Sequence, residues 1–266
     1  MWNISLEIGN LNFTFITPSK QLFSVIKRSY APFVKDGKSG IIISATVLRR
    51  KLSRKVRPDI LFTGKTLQIT RDDFYSSTAA DFGKTNLEVE LNKYSLDSWL
   101  RVFITCLAQR KKGFLLHASG YTIKNNSYIF PGVSGSGKST IIKILGKDNA
   151  LSDELLYIFF TGSRFHAAST PFWGELKKPC DLRAGHFPIR SFLFLKHGPA
   201  LELNKMNVKH SFKELLKTVM FFSSRGSDFD RLIDNVIPAL SDIPSYTMYF
   251  SRNNKRKTVM KALEGI

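Results

Sequence analysis

The sequence predicts an α/β protein with α+β character, in which a mixed sheet flanked by helices follows a β-rich amino-terminal portion. Three observations predict it. Short strand-like runs fill residues 1–95, and a helical run opens the remainder, 96–266. Within that remainder, a glycine-rich loop at 132–140 stands between an apolar strand and an apolar helix.

Leu11–Ile16 alternates, Gly40–Val47 is an apolar run, and Thr66–Ile69 and Leu87–Leu91 read as further strands. Between the first two, Gln21–Tyr30 has helical spacing and stops before Pro32. From about Leu96 to Arg110, Trp99, Leu100, Phe103 and Leu107 share one helical face, with Ser95 as the expected N-cap. This connection is a helix rather than a flexible tether, so the β-rich region is expected to pack on the remainder. Gly113–Gly120 then reads as a strand, Tyr121–Lys124 leads to a turn at Asn125-Asn126, and Tyr128–Phe130 feeds the glycine-rich loop. Beyond it, Leu155–Phe160, Phe165–Ala167 and Ser191–Leu195 read as strands, and Ser211–Met220 and Asp228–Val236 as helices. No repeat or low-complexity segment interrupts this order.

The loop, Gly132-Val133-Ser134-Gly135-Ser136-Gly137-Lys138-Ser139-Thr140, carries the chemistry. Its glycines let the backbone bend so that consecutive N–H groups face inward, toward phosphate oxygens. Lys138 reaches the β- and γ-phosphates, Ser139 offers a hydroxyl to Mg²⁺, and the following helix aims its partial positive charge at the anion. A chance glycine-rich turn would not be flanked by both a strand and a helix. The expected ligands are therefore ATP and Mg²⁺.

Composition sets the outer limits. The 266 residues allow one large α/β domain or a small domain joined to a larger one. Hydrophobic residues at 43% and charged ones at 23% exclude a disordered chain. The opening Met1–Ile8 lacks a basic start followed by an apolar block, so no secretory leader is expected, and no apolar run is long enough to span a bilayer. A cytoplasmic location follows as the expectation. Cys106 and Cys180 have no metal-ligand spacing and read as buried thiols.

A net charge of +19 leaves two readings open, solvated basic faces or a functional basic surface. The basic clusters at Arg49-Arg50-Lys51 with Arg54-Lys55 and Arg57, at Arg110-Lys111-Lys112, and at Arg252 with Lys255-Arg256-Lys257 are scattered and lack interleaved aromatics. Nucleic acid is accordingly not the expected partner.

After the loop helix comes Leu151-Ser152-Asp153-Glu154-Leu155. Two adjacent acids there can supply a carboxylate to Mg²⁺ and a base for an attacking hydroxyl. Further on, Thr170-Pro171-Phe172-Trp173-Gly174-Glu175 has two readings: a buried aromatic turn, or a segment that brings Glu175 to Mg²⁺ or to the acceptor. For Arg164, Arg183 and Arg190, surface ion pairing stands beside neutralisation of transition-state charge.

Taken in order, Leu115-Leu116-His117-Ala118-Ser119-Gly120, the phosphate loop, the Asp153-Glu154 pair and the Thr170–Glu175 stretch resemble the HPr kinase-like proteins, over roughly residues 113–200. That family shares the nucleotide-binding fold of ATP-dependent phosphoenolpyruvate carboxykinase. The resemblance implies a P-loop kinase fold and transfer of the γ-phosphate to a hydroxyl. It makes Asp153 the catalytic base, Lys138 a catalytic contact to phosphate, and Ser139 and Glu154 metal ligands. It also sets His117 beside the transferring phosphate, where an isolated histidine in an apolar strand reads more simply as a core residue. The family usually has Asp-Asp where this chain has Asp153-Glu154.

The chain also departs from the bifunctional enzymes. Their Pro-Val-Arg-Pro-Gly-Arg-Asn segment would fall near Phe187-Pro188-Ile189-Arg190, where the glycine, second arginine and asparagine are missing, so no phosphorolysis is expected. The amino-terminal portion has no match to their sensor domain. The expected acceptor is a serine of a protein or peptide, with a small metabolite as the alternative, and a homo-oligomer is compatible with the sequence. The rival reading is an ATP-responsive binding module that uses its basic surface and transfers nothing.

Overall fold

The computed structural model describes residues 1–37, 39–49, 57–176, 182, 184–223 and 225–266. Arg50-Lys51, Arg54-Lys55, Lys177-Lys178, Cys180 and Arg183 lie outside the described residues. The chain is mixed α/β and forms two compact units, Met1–Leu107 and Ala108–Ile266, each with a mixed eight-stranded sheet and flanking helices.

In the first unit, β1 (Trp2–Ile8) and β2 (Leu11–Thr17) form a hairpin, and α1 (Lys20–Ser29) follows, capped by the Ser19 hydroxyl on the Leu22 N–H. Then come β3 (Val34–Lys35), β4 (Ile42–Val47), β5 (Asp59–Thr63), β6 (Thr66–Arg71), β7 (Phe74–Ala79) and β8 (Lys84–Val89). The sheet order is β3-β1-β2-β4-β8-β7-β6-β5, with β2, β4 and β8 parallel to their neighbours in that run and the remaining pairs antiparallel. The sequence reading did not include β1, β5 or β7. In β7 the inward positions are Phe74, Ser76 and Thr78, so its buried face reads as polar. The polar pair is satisfied: Ser76 accepts from the Trp99 indole N–H at 2.8 Å and Thr78 from the Thr85 hydroxyl at 3.1 Å.

Helix α2 (Lys93–Arg110) starts earlier than its apolar face suggests. Its cap is Asn92, whose Oδ1 accepts from the Ser95 N–H at 2.9 Å, and not Ser95. The Ser95 hydroxyl instead donates to buried Asp73 at 2.5 Å. The unit boundary falls inside α2 rather than at 95/96, because Trp99 and Phe103 belong to the first unit's core. Trp99 lies against Phe15, and Phe103 against Phe13 and Phe82, with ring centroids 5.9–6.1 Å apart.

The second unit contains β9 (Gly113–Ile123), β10 (Asn126–Pro131), α3 (Lys138–Leu145), β11 (Ala150–Ser152), β12 (Leu155–Thr161), β13 (Arg164–Ala168), β14 (His186–His197), β15 (Glu202–Lys205), α4 (Val208–Leu216), α5 (Gly226–Asp242), β16 (Ser245–Phe250) and α6 (Arg256–Glu264). The order is β10-β9-β12-β13-β14-β16-β15, and β10 also pairs with β14. Two long strands make this closure possible. The first half of β9 pairs with β12 and the second half with β10; β14 passes from β13 to β10 and then β16. The sequence reading divided β9 at Gly120, yet the strand runs through it. A Cβ there would come within 2.8 Å of Leu156, so glycine serves close packing rather than a turn.

One apolar core gathers Leu116, Ile158 and Phe192 with Leu232, Val236 and Leu240 of α5. The other gathers Phe130, Leu193 and Phe250 with Ile141, Ile142 and Leu145 of α3 and Val259 and Leu263 of α6. Helix α5 continues past Pro238, which is exposed on its outer side. The carbonyl freed there can meet water, so the proline does not end the helix. The result that matters for function is local: β10, β14 and β16 lie side by side and parallel, and their carboxyl ends open on one cleft.

Candidate functional site

That cleft has a volume of about 840 Å³ and three walls. The first is the glycine-rich loop and the start of α3, contributing Ser134, Gly135, Gly137, Lys138, Ser139 and Thr140. Gly135 and Gly137 have φ of +80° and +98°, in the left-handed region that favours glycine. At Gly137 space is also decisive, because a Cβ would stand 2.8 Å from Cζ of Phe250. Gly132 is tucked against Ser136, whose Cβ would lie 2.8 Å from an added Cβ. Gly132, Val133 and Ser136 do not line the cleft themselves. Gly132 and Val133 instead give their carbonyls to the Lys138 ammonium, each at 2.8 Å. Two of the three ammonium hydrogens are thus used to hold the side chain along the loop, and one is left for a ligand. Burial lowers the Lys138 pKa, while the Asp153, Glu154 and Glu175 carboxylates act against that shift.

The second wall is acidic. Asp153 is buried, with Oδ1 accepting from the Gly174 N–H and Oδ2 from the Leu176 N–H, both at 2.8 Å. Ser152, fully buried, organises the turn that carries it. Its hydroxyl accepts from the N–H groups of Glu154 and Leu155 at 3.1 and 3.2 Å and donates to the Phe172 carbonyl at 2.7 Å. Thr170 donates to the Leu155 carbonyl at 2.6 Å. The acidic turn and the 170–176 segment therefore hold each other through side chain to backbone bonds. Both readings of Thr170–Glu175 apply to parts of it: Pro171 and Phe172 are buried, while Gly174 and Glu175 line the cleft.

His117 also lines this wall. Its carbonyl accepts from the Gly132 N–H at 3.1 Å, and the next N–H, of Ala118, donates to the Glu154 carbonyl at 3.0 Å. One short stretch of β9 thereby ties the start of the glycine-rich loop to the acidic pair. The sequence places these three motifs far apart; the β9 ladder brings them together.

The third wall, formed by His197, Arg252 and Asn254 beyond the ends of β14 and β16, was not expected, nor was Lys143 of α3. The histidine ring stacks on Phe250 with centroids 5.8 Å apart. Neither β16 nor α6 was legible, so nothing in the sequence set Arg252 and Asn254 at a strand end. Of the three arginines considered for transition-state charge, Arg164 and Arg190 do not line the cleft, and Arg190 donates to the Ile266 carbonyl at 2.6 Å.

Among the described residues no three His, Cys, Asp or Glu side chains converge as a metal site. No helix there is long and apolar enough to cross a membrane. Compared with protein-family models and with curated proteins, the chain matches none.

Proposed function

We propose that this chain is a cytoplasmic Mg·ATP-dependent phosphotransferase with the P-loop fold of the HPr kinase and phosphoenolpyruvate carboxykinase type, acting on the hydroxyl of a serine in a protein or peptide. The observation that carries the reading is a cleft shared by a glycine-rich loop with its lysine and by a buried carboxylate fixed through both its oxygens. The loop N–H groups, the start of α3 and Lys138 would receive the phosphates. Ser139 and Glu154, with Glu175 at the rim, are the residues that would hold Mg²⁺, which in such sites takes one or two carboxylates and completes its shell with phosphate oxygens and water. When bound, Mg²⁺ neutralises charge on the phosphates.

Asp153 would accept the acceptor's hydroxyl proton as that oxygen attacks the γ-phosphorus in line. Each carboxylate oxygen gives one lone pair to a backbone N–H and retains another for this contact. Positioning and charge neutralisation would supply most of the rate. The fixed Asp153 is suited to that, because its geometry is set before substrate arrives.

The experiment is transfer of labelled γ-phosphate from Mg·ATP into a cell lysate separated into protein and small-molecule fractions. The expected result is one discrete labelled species in the protein fraction, absent with Lys138→Ala. Label only in a metabolite would change the acceptor class. Tight ATP binding with no label in either fraction would overturn transfer and leave a nucleotide-responsive binding module.

A further inference from the structure

The third wall of the cleft has a chemistry of its own. After β16, Ser251 and Asn254 close a turn: the Asn254 Oδ1 accepts from the Ser251 N–H at 2.7 Å, and the Asn254 N–H donates to the Ser251 carbonyl at 3.1 Å. The first of these bonds fixes which way the amide faces, because only its oxygen can accept. The Nδ2 donor is what remains for a ligand, and it has no partner among the described residues. The same turn presents Arg252, exposed and without an ion pair or hydrogen bond among the described residues. Lys143, four residues after Ser139 on α3, is also exposed and unpaired among the described residues.

These groups only donate. The three carboxylates of the cleft, Asp153, Glu154 and Glu175, act on Lys138. A triphosphate would be met by the loop N–H groups, Lys138 and the start of α3, leaving the Arg252 wall unmatched by the phosphates. The wall adjoins the glycine-rich loop: Phe250, two residues before Arg252, lies against the Gly137 position and stacks with the His197 ring. A guanidinium beside further free N–H donors selects oxyanions. The net charge of +19 adds long-range attraction for an anionic partner.

We propose that the hydroxyl acceptor carries an oxyanion, a carboxylate or phosphate, and that Arg252 and Asn254 bind it. This rests on the phosphotransferase reading for the word acceptor, while the oxyanion site itself does not.

Inorganic phosphate is the probe, titrated calorimetrically into the full chain, first nucleotide-free and then saturated with the Mg²⁺ complex of a non-hydrolysable ATP analogue. With the phosphate loop filled, phosphate should still bind. Arg252→Gln and Asn254→Asp should weaken it at least about tenfold, yet leave the analogue's affinity within about twofold. Asn254→Asp keeps an oxygen to close the turn while replacing the donor with a negative charge, so a loss there is not a folding defect. Phosphate binding confined to the nucleotide-free protein would overturn the proposal. So would an approximately tenfold loss of analogue affinity in Arg252→Gln, since the donors would then serve the nucleotide's own phosphates. If the analogue fails to bind wild type, the phosphotransferase reading falls and the acceptor assignment with it, whereas phosphate lost only in Arg252→Gln would still identify the oxyanion site.

Discussion

Asp153 Oδ2 accepts a hydrogen bond from the Leu176 N–H at 2.8 Å, so the carboxylate offered as the base is also the anchor of the segment that closes its wall of the cleft. Gly174 makes the same bond to Oδ1. An asparagine at this position has one oxygen and one NH₂, and must leave one of those two N–H groups facing a donor. Asp153→Asn should lower transfer by about 10²–10⁴, the usual worth of a positioned base. It should leave Mg·ATP affinity within a few-fold, and release the 174–176 backbone, seen as faster amide exchange at Leu176. Full transfer by this variant would remove Asp153 from the base role; slow transfer without faster exchange would separate chemistry from anchoring.

Lys138 gives a pH dependence whose direction follows from its burial. Removal from water lowers its pKa below the ordinary 10.5, and the nearby carboxylates do not restore it. The triphosphate favours the protonated form. Mg·ATP affinity should therefore decline as pH rises through the lowered value, starting below the range of an exposed lysine, with proton uptake on binding over the same interval. Calorimetric titrations from about pH 7 to about pH 10 on wild type and Lys138→Met test this. Wild-type affinity as flat with pH as the variant's would count against a lysine contact to phosphate.

The loop glycines separate strain from space. Gly135 has φ of +80° with open space around its missing Cβ, so Gly135→Ala costs only the left-handed conformation, about 1–2 kcal/mol. Gly137 has φ of +98° and Phe250 2.8 Å from the added atom, so Gly137→Ala must also push the start of α3 off β16. Nucleotide affinity should fall further in Gly137→Ala than in Gly135→Ala, by about tenfold or more. Equal losses would mean that the α3 start tolerates displacement.

Much of the site was legible because its parts are local in sequence. The loop, the Ser152–Glu154 turn and the Gly174-Glu175 pair each declare a chemistry within a few residues. What the sequence hid is long-range or polar. β7 buries serine and threonine, so its inward face lacks an apolar period. β16, Ser245-Tyr246-Thr247-Met248-Tyr249-Phe250, buries Ser245, Met248 and Phe250, which is not a simple alternation. Helix α6 buries only Val259 and Leu263, too few for a periodic signal. Missing β16 and α6 meant missing the turn between them, and with it Arg252 and Asn254. The strand ladder joining His117 to Gly132 and Ala118 to Glu154 depends on pairing that no local pattern encodes.

The first unit carries its own acid sensitivity. Arg71 is buried and meets Asp73 with two bonds, Nε to Oδ1 at 2.6 Å and Nη2 to Oδ2 at 2.7 Å, while Ser95 donates to the same Oδ2. Burial alone would raise the Asp73 pKa, but the bonds from Arg71 and Ser95 hold it below the ordinary 3.8. A depressed folded-state pKa contributes stability above the unfolded value, and that contribution disappears as pH falls through the folded value. The first unit should therefore lose stability in the acid range below about pH 4. Asp73→Asn should remove that part of the acid dependence and cost up to about 3–5 kcal/mol near neutrality, because it takes the two-bonded partner from the buried Arg71 guanidinium and leaves, among the described residues, only Asp72, at 3.9 Å. Exchange of the Trp99 indole proton, bonded to Ser76 inside this unit, reports the change locally. An identical acid profile in wild type and variant would assign the sensitivity to other groups.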